Sequence, residues 1–189
     1  MTAITNTTRN GIDVAQVYGT LDAIAADPSL ARFEFRVSNR WITGTHSRST
    51  IQGFHGAGQE DASREQPFVV DASEPPVLLG HNEAPNPAEL LMHALAGCLT
   101  LTIVNVAAAR KVTLTEVTSR LEGELDARGA LGLDDSFRNG FHRLSVAFTV
   151  RGEASPEKLQ EIVERAKARS VVYDIVSNGV PVDVTAEVG

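Results

Sequence analysis

Cysteine is almost absent from this sequence, because Cys98 is the only one in 189 residues. A lone cysteine cannot form a disulfide within its chain, which is typical of proteins from a reducing compartment. The first residues also lack the basic segment and the apolar run of a secretory signal. We therefore expect a cytoplasmic protein.

Positive charge is scarce as well. The chain has 17 lysine and arginine residues against 24 aspartate and glutamate residues, and its formal net charge is -7. Proteins that bind a phosphate backbone carry clusters of lysine and arginine, and no such cluster is present. The composition therefore argues against nucleic acid as a partner.

Long apolar runs and metal-binding motifs are missing too. The longest apolar run, residues 94–109, is shorter than the roughly 20 residues that cross a bilayer, and it contains Asn105. The five histidines form no HExxH motif and have no cysteines at zinc spacing. We expect neither a membrane helix nor a metal site.

The remaining composition, 42% hydrophobic and 22% charged, is that of an ordinary globular chain. Helical spacing of apolar residues predicts a helix over residues 14–26 that ends before Pro28. Alternation over residues 31–54 predicts a β-hairpin, with Ser38 and Asn39 as its turn.

The second half of the chain carries two more alternating segments. Residues 115–127 and 143–151 predict paired antiparallel strands. Ser155 and the proline after it predict the start of an amphipathic helix that ends near residue 169. Residues 180–188 again alternate, which predicts a last strand.

The stretch NPAELLMHALAGC, residues 86–98, predicts a helix with a well-defined start. Asn86 can cap it, Pro87 fits its first turn and Glu89 can complete a capping box. Apolar residues lie on all its sides as far as residue 109, so we expect it to be buried all round. Its cover would be the amphipathic helix or a second copy of the chain. A cysteine in such a helix is often inert packing.

The segment APNPAELLMHALAGC, residues 84–98, resembles the signature of the OsmC/Ohr family, in which this helix bears a redox cysteine. The likeness extends from Trp41 to Val188. It implies an α+β fold in an intertwined homodimer, with antiparallel sheets, a buried central helix in each subunit and active sites at the subunit interface. The shortest members have no counterpart of the first residues. We expect a helical extension over 1–30 and an OsmC-like domain over 31–189.

The resemblance also implies roles for individual residues. Cys98 would be the peroxidatic cysteine and Glu89 its acidic partner. Nine residues separate the two, so they face opposite sides of one helix and Glu89 would serve the partner subunit's thiol. The family also uses an arginine to hold the thiolate. Some members carry it near the position of Leu78 or Leu79, and Arg48 could supply it from the hairpin, as in other members.

One departure from the family concerns its second cysteine, since Ser170 stands at that position. The sequence then leaves two functions open. The first is a one-cysteine reduction of organic hydroperoxides, in which Cys98 depends on an external thiol and needs no other cofactor. The second is a non-catalytic protein that binds an apolar small molecule at the dimer interface.

Overall fold

The computed structural model of this chain describes residues 8–189. Its strands are short in the first half of the chain and longer in the second. In chain order the strands and helices are β1 (Thr8–Arg9), β2 (Ile12–Asp13), α1 (Val14–Ala26), β3 (Glu34–Phe35), β4 (Ser38–Thr43), β5 (His46–Ile51), β6 (Phe54–Gly56), β7 (Gln59–Asp61), β8 (Phe68–Ala72), α2 (Pro87–Ala109), β9 (Leu114–Glu124), α3 (Ala127–Ala130), β10 (Arg143–Gly152), α4 (Pro156–Lys167) and α5 (Val171–Asn178).

One compact unit is formed by residues 13–91 together with Thr8. It contains α1 and two three-stranded sheets, ordered β3-β6-β7 and β4-β5-β8. The helix predicted over residues 14–26 is confirmed. The Asp13 side chain caps it by accepting the backbone N–H of Ala15, and the helix ends just before Asp27.

The predicted hairpin over residues 31–54 is present, but the prediction of its turn was wrong. Ser38 and Asn39 lie within β4, and the chain reverses instead at Gly44, whose φ is 51°. The Asn39 amide donates to the hydroxyl of Ser49 on β5 at 2.9 Å. Ser38 and Asn39 are residue types that are typical of turns, and this cross-strand hydrogen bond helps to keep them in a strand instead.

The other unit is formed by residues 9–12 and 92–189. The paired strands predicted here are confirmed, because β9 and β10 are antiparallel and Val117 lies opposite Val150. The predicted amphipathic helix is α4, with Ser155 as its N-cap. Both α2 and α4 contribute to the core. Its buried residues are Ile103, Val106, Ala107, Val112, Ile162 and Ala166.

The chain after α4 differs from the prediction. Residues 171–178 form α5, and residues 180–189 form no strand. A strand needs a hydrogen-bonded neighbour, and residues 180–189 pair with neither β9 nor β10. Val184, at 86% exposure, shows that the alternating valines cover no apolar surface here.

Helix α2 has two unlike faces within this unit. Leu95, Leu99 and Ile103 are buried, whereas Leu101 on another side is 65% exposed. By length and composition alone, Pro87–Ala109 could also cross a membrane, but the core helix of a soluble protein passes the same test. The unit therefore leaves uncovered an apolar face of the helix that carries the cysteine.

Replacing Ile162 with alanine should lower the free energy of unfolding by about 3 kcal/mol, because its fully buried side chain would leave a cavity between α4 and its neighbours. Chemical denaturation measures the change. Leu133→Ala is the matched control, since Leu133 is 72% exposed and its loss should cost about 0.5 kcal/mol or less. Equal losses in the two variants would contradict this assignment of the core.

Candidate functional site

Cys98 lies in the middle of α2, next to the buried Leu99, and is itself partly exposed. The Ser170 hydroxyl lies 3.2 Å from its sulfur and donates a hydrogen bond to it. The Thr102 hydroxyl donates to the Cys98 carbonyl at 2.7 Å, one helical turn away. The proton of Thr102 is therefore committed to the backbone, and Ser170 is the main side-chain donor to the sulfur.

The start of α5 supplies the remaining donors. Ser170 is its N-cap and is 2% exposed, and the Ser170 Oγ accepts the backbone N–H of Tyr173 at 3.3 Å. The Ser170 N–H donates to the Lys167 carbonyl. The backbone N–H groups of Val171 and Val172 also lower the pKa of the Cys98 thiol. The first turn of α5 has no internal acceptor for the N–H groups of Val171 and Val172, and these groups therefore remain available to stabilise a negative charge at the helix start.

Two opposing effects set the pKa of the Cys98 thiol. Partial burial raises the pKa, because it disfavours the charged form. The hydrogen bond from the Ser170 hydroxyl lowers it, and so do the backbone N–H groups of Val172 and Val171 and the nearby Thr102 hydroxyl. The net effect is a pKa below the ordinary value, which favours the thiolate, the nucleophilic form of cysteine.

The contribution of α5 was missed by the sequence analysis. Cys98 is far from both ends of α2, so the dipole of its own helix gives it little help. The relevant helix end belongs to α5, and its signals were present in the sequence. Ser170 is a good N-cap, and Gly179 follows the last helical residue as helix-ending glycines do. The valines between them also fitted a strand, which obscured the pattern.

Glu89 lies in the first turn of α2. Its carboxylate accepts the backbone N–H of Asn86 at 2.8 Å, while the Asn86 side chain accepts the N–H of Ala88 at 2.7 Å. These two bonds form the reciprocal capping box that the sequence predicts. The structure thus gives Glu89 a capping contact, and its role toward a thiol stays a prediction.

Arg48 lies on β5 and forms a two-pronged contact with Asp71 on β8, at 2.7 and 2.8 Å. The Asp71 carboxylate also contacts the His46 ring at 3.0 Å. The Arg48 guanidinium, followed by His46, holds the pKa of Asp71 well below its usual range. The structure brings Cys98 together with Ser170, whereas Arg48 is engaged with Asp71. The proposed role of Arg48 at the thiol also stays a prediction.

Two further features bear on ligands. Residues 8–189 contain no group of three or more histidine, cysteine, aspartate or glutamate side chains that could hold a metal ion. The unit that holds the main core has a cavity of about 870 Å³, with Lys167 and Arg151 among the polar residues that line it. Its apolar wall includes Leu99, Ile103, Val146, Phe148, Val163 and Tyr173.

The chain is similar to known proteins both in sequence and in fold. The family model described as OsmC-like protein matches residues 80–185. An OsmC-like protein from Mycoplasma pneumoniae is 12% identical, with a TM-score of 0.56 over 77% of this chain and 88% of that one.

A second solved structure, an OsmC-like protein of unknown function from Vibrio cholerae, is 14% identical. Its TM-score is 0.50 over 75% of this chain and 92% of that one. No curated protein matches the chain in sequence. At these identities, the likeness to the solved structures concerns the fold.

Proposed function

This chain belongs to the OsmC-like protein family, and on that premise we propose that it reduces organic hydroperoxides with Cys98 as its reactive cysteine. The observation that carries the proposal is the set of donors around the Cys98 sulfur, which favours the thiolate. The substrate class follows from the family resemblance. The Cys98 thiol is partly exposed, as a reactive cysteine is, whereas an inert packing cysteine is buried.

The first step converts the thiolate to a sulfenic acid. The Cys98 sulfur attacks the outer oxygen of the hydroperoxide, so that a sulfur–oxygen bond forms while the oxygen–oxygen bond breaks. The transferred oxygen is now bonded to the sulfur and keeps its hydrogen. The departing alkoxide takes a proton from solvent to give the alcohol. The peroxide is reduced and the cysteine is oxidised.

The second step needs a thiol from outside the chain, because the residue in contact with the sulfur is Ser170. An external thiol attacks the sulfenic sulfur, releases water and leaves a mixed disulfide. A further thiol then exchanges with that disulfide and restores the Cys98 thiolate. The reductant is therefore a thiol that can enter the site.

We also propose that the working form is a cytoplasmic homodimer in which the apolar side of α2 near Leu101 is covered by a second copy. Glu89 and Cys98 face opposite ways on α2, so a Glu89 that serves a thiol would serve the one in the partner subunit. In this proposal Arg48 orients the peroxide, and Asp71 holds its guanidinium in place.

Labelling of the oxidised protein tests the chemistry. The protein is mixed with a dimedone-type sulfenic-acid trap and either cumene hydroperoxide or hydrogen peroxide, and its intact mass is followed. Because Cys98 is the sole cysteine, one trap adduct assigns the site. We expect faster labelling with cumene hydroperoxide and none after prior alkylation. Absence of the adduct with both peroxides would refute the proposal.

A second candidate function is favoured by the cavity beside Leu99 and Tyr173. A cavity of about 870 Å³ with an apolar wall is in the size range of small-molecule sites. A non-catalytic protein would hold an apolar ligand in this cavity, and Cys98, which is next to the lining residue Leu99, would take no part in chemistry. Native mass spectrometry showing a retained ligand on a protein that does not react with peroxide would favour this function.

A further inference from the structure

We propose that Ser170 is a positioning residue whose hydroxyl, together with the first turn of α5, forms a preformed anion site for the Cys98 thiolate. The inference rests on the proposed function only in taking the thiolate as the reactive form. The family resemblance implies that an arginine stabilises the thiolate, whereas this inference gives that role to the uncharged N-terminus of α5. The role that remains for Arg48 is to orient the peroxide.

The orientation of the Ser170 hydroxyl is fixed by its neighbours. Its oxygen accepts the Tyr173 N–H at 3.3 Å, which leaves its proton free to point elsewhere. The sulfur of Cys98 is 3.2 Å away and takes that proton as a hydrogen bond. Because Ser170 is 2% exposed, water does not compete for the hydroxyl. A buried hydroxyl needs a partner, and the sulfur is the partner available.

The donors distinguish between the two forms of the cysteine. A thiol sulfur is a weak acceptor, whereas hydrogen bonds to an ionised group are shorter and stronger. The Ser170 hydroxyl and the N–H groups of Val171 and Val172 therefore stabilise the thiolate more than the thiol. The positive end of the α5 dipole acts in the same direction.

Two charged side chains on the neighbouring elements, one on α4 and one on α5, have partners of their own. At the end of α4, the Lys167 ammonium pairs with Glu164 at 3.3 Å. In the first turn of α5, Asp174 accepts a hydrogen bond from Asn178 at 2.8 Å. Among residues 8–189, no charged side chain contributes to the lowered pKa of the Cys98 thiol. Neutral dipoles therefore outweigh the effect of burial.

The test is the pH dependence of alkylation of the Cys98 thiol by iodoacetamide. In Ser170→Ala the profile should move to higher pH. The rate near neutral pH should fall about tenfold, because a hydrogen bond to a charged group contributes about as much as one pKa unit. The rate at high pH, where all the thiol is ionised, should not fall, because a thiolate of higher pKa is at least as nucleophilic. A merely structural role would not move the profile in this way.

Two more variants keep the inference falsifiable if Ser170→Ala is poorly folded. Ser170→Thr keeps the hydroxyl and should retain most of the wild-type profile. Ser170→Cys should form a disulfide with Cys98 when peroxide is added, seen as the loss of two hydrogen atoms in the intact mass and of the sulfenic adduct. An unchanged profile in a folded Ser170→Ala, or no disulfide in Ser170→Cys under direct oxidation by diamide, would overturn it.

These readouts separate the inference from the proposed function. Alkylation and diamide oxidation involve no hydroperoxide. A shifted profile in a protein that is inert to peroxide would support the anion site and refute the peroxidase. An unshifted profile in an active peroxidase would refute the anion site and support the peroxidase.

Discussion

Replacing Cys98 with serine should reduce hydroperoxide turnover to background, a loss of roughly a thousandfold or more. A serine hydroxyl stays protonated at neutral pH, and the donors around position 98 cannot make it a comparable nucleophile. The chain has no other cysteine that could take over the reaction. The measurement is the consumption of cumene hydroperoxide with an excess of a dithiol reductant.

Leu133→Ala is the control for this experiment, because Leu133 is exposed in the loop after α3 and has no part in the proposed chemistry. It should keep wild-type turnover. Full turnover in Cys98→Ser would eliminate the one-cysteine mechanism, whatever the fold of the protein.

Replacing Leu101 with aspartate should convert the protein from a dimer to a monomer in sedimentation velocity at micromolar concentration. Leu101 is 65% exposed on α2, so the change should cost an isolated chain little. Within an apolar contact between two copies, an unpaired carboxylate would be costly. Gly97 also lies on α2, and nothing stands within 4 Å of where its side chain would begin, which would allow a second backbone to approach closely.

Leu133→Asp is the matched control, because it makes the same chemical change at an exposed residue outside α2 and should leave the dimer intact. A wild-type protein that sediments as a monomer would contradict the dimer, and with it the sharing of Glu89 between subunits. If the Leu101 variant instead remained a dimer, this face of α2 would not be the contact.

The elements that sequence predicted well are those with local causes. Helix α1 has an aspartate cap and a proline two residues after its end, and α4 has a serine cap followed by proline. The alternation runs through the whole of β9 and β10, which are neighbours in sequence and pair as antiparallel strands. The capping box of Glu89 also lies within four residues. Each of these features can be identified within a short window.

The features that sequence did not predict depend on contacts made at a distance. Ser38 and Asn39 have the composition of a turn, yet a neighbouring strand keeps Asn39 extended. The valines at the start of α5 have the composition of a strand, and the helix is stabilised by its cap. The hydrogen bond between Ser170 and Cys98 joins residues 72 positions apart, so no local pattern could reveal it. Cys98 itself was predictable because its helix carries a family signature.

The hydrogen bond between Cys98 and Ser170 connects the sulfur atom to the residue that caps α5. A chemical group placed on the sulfur would disturb the Ser170 hydroxyl, which accepts the Tyr173 N–H in the first turn of α5. A helix of eight residues is short enough that losing its N-terminal partners should let it fray. The redox state of Cys98 should therefore change the local stability of α5, and amide hydrogen exchange can measure that change.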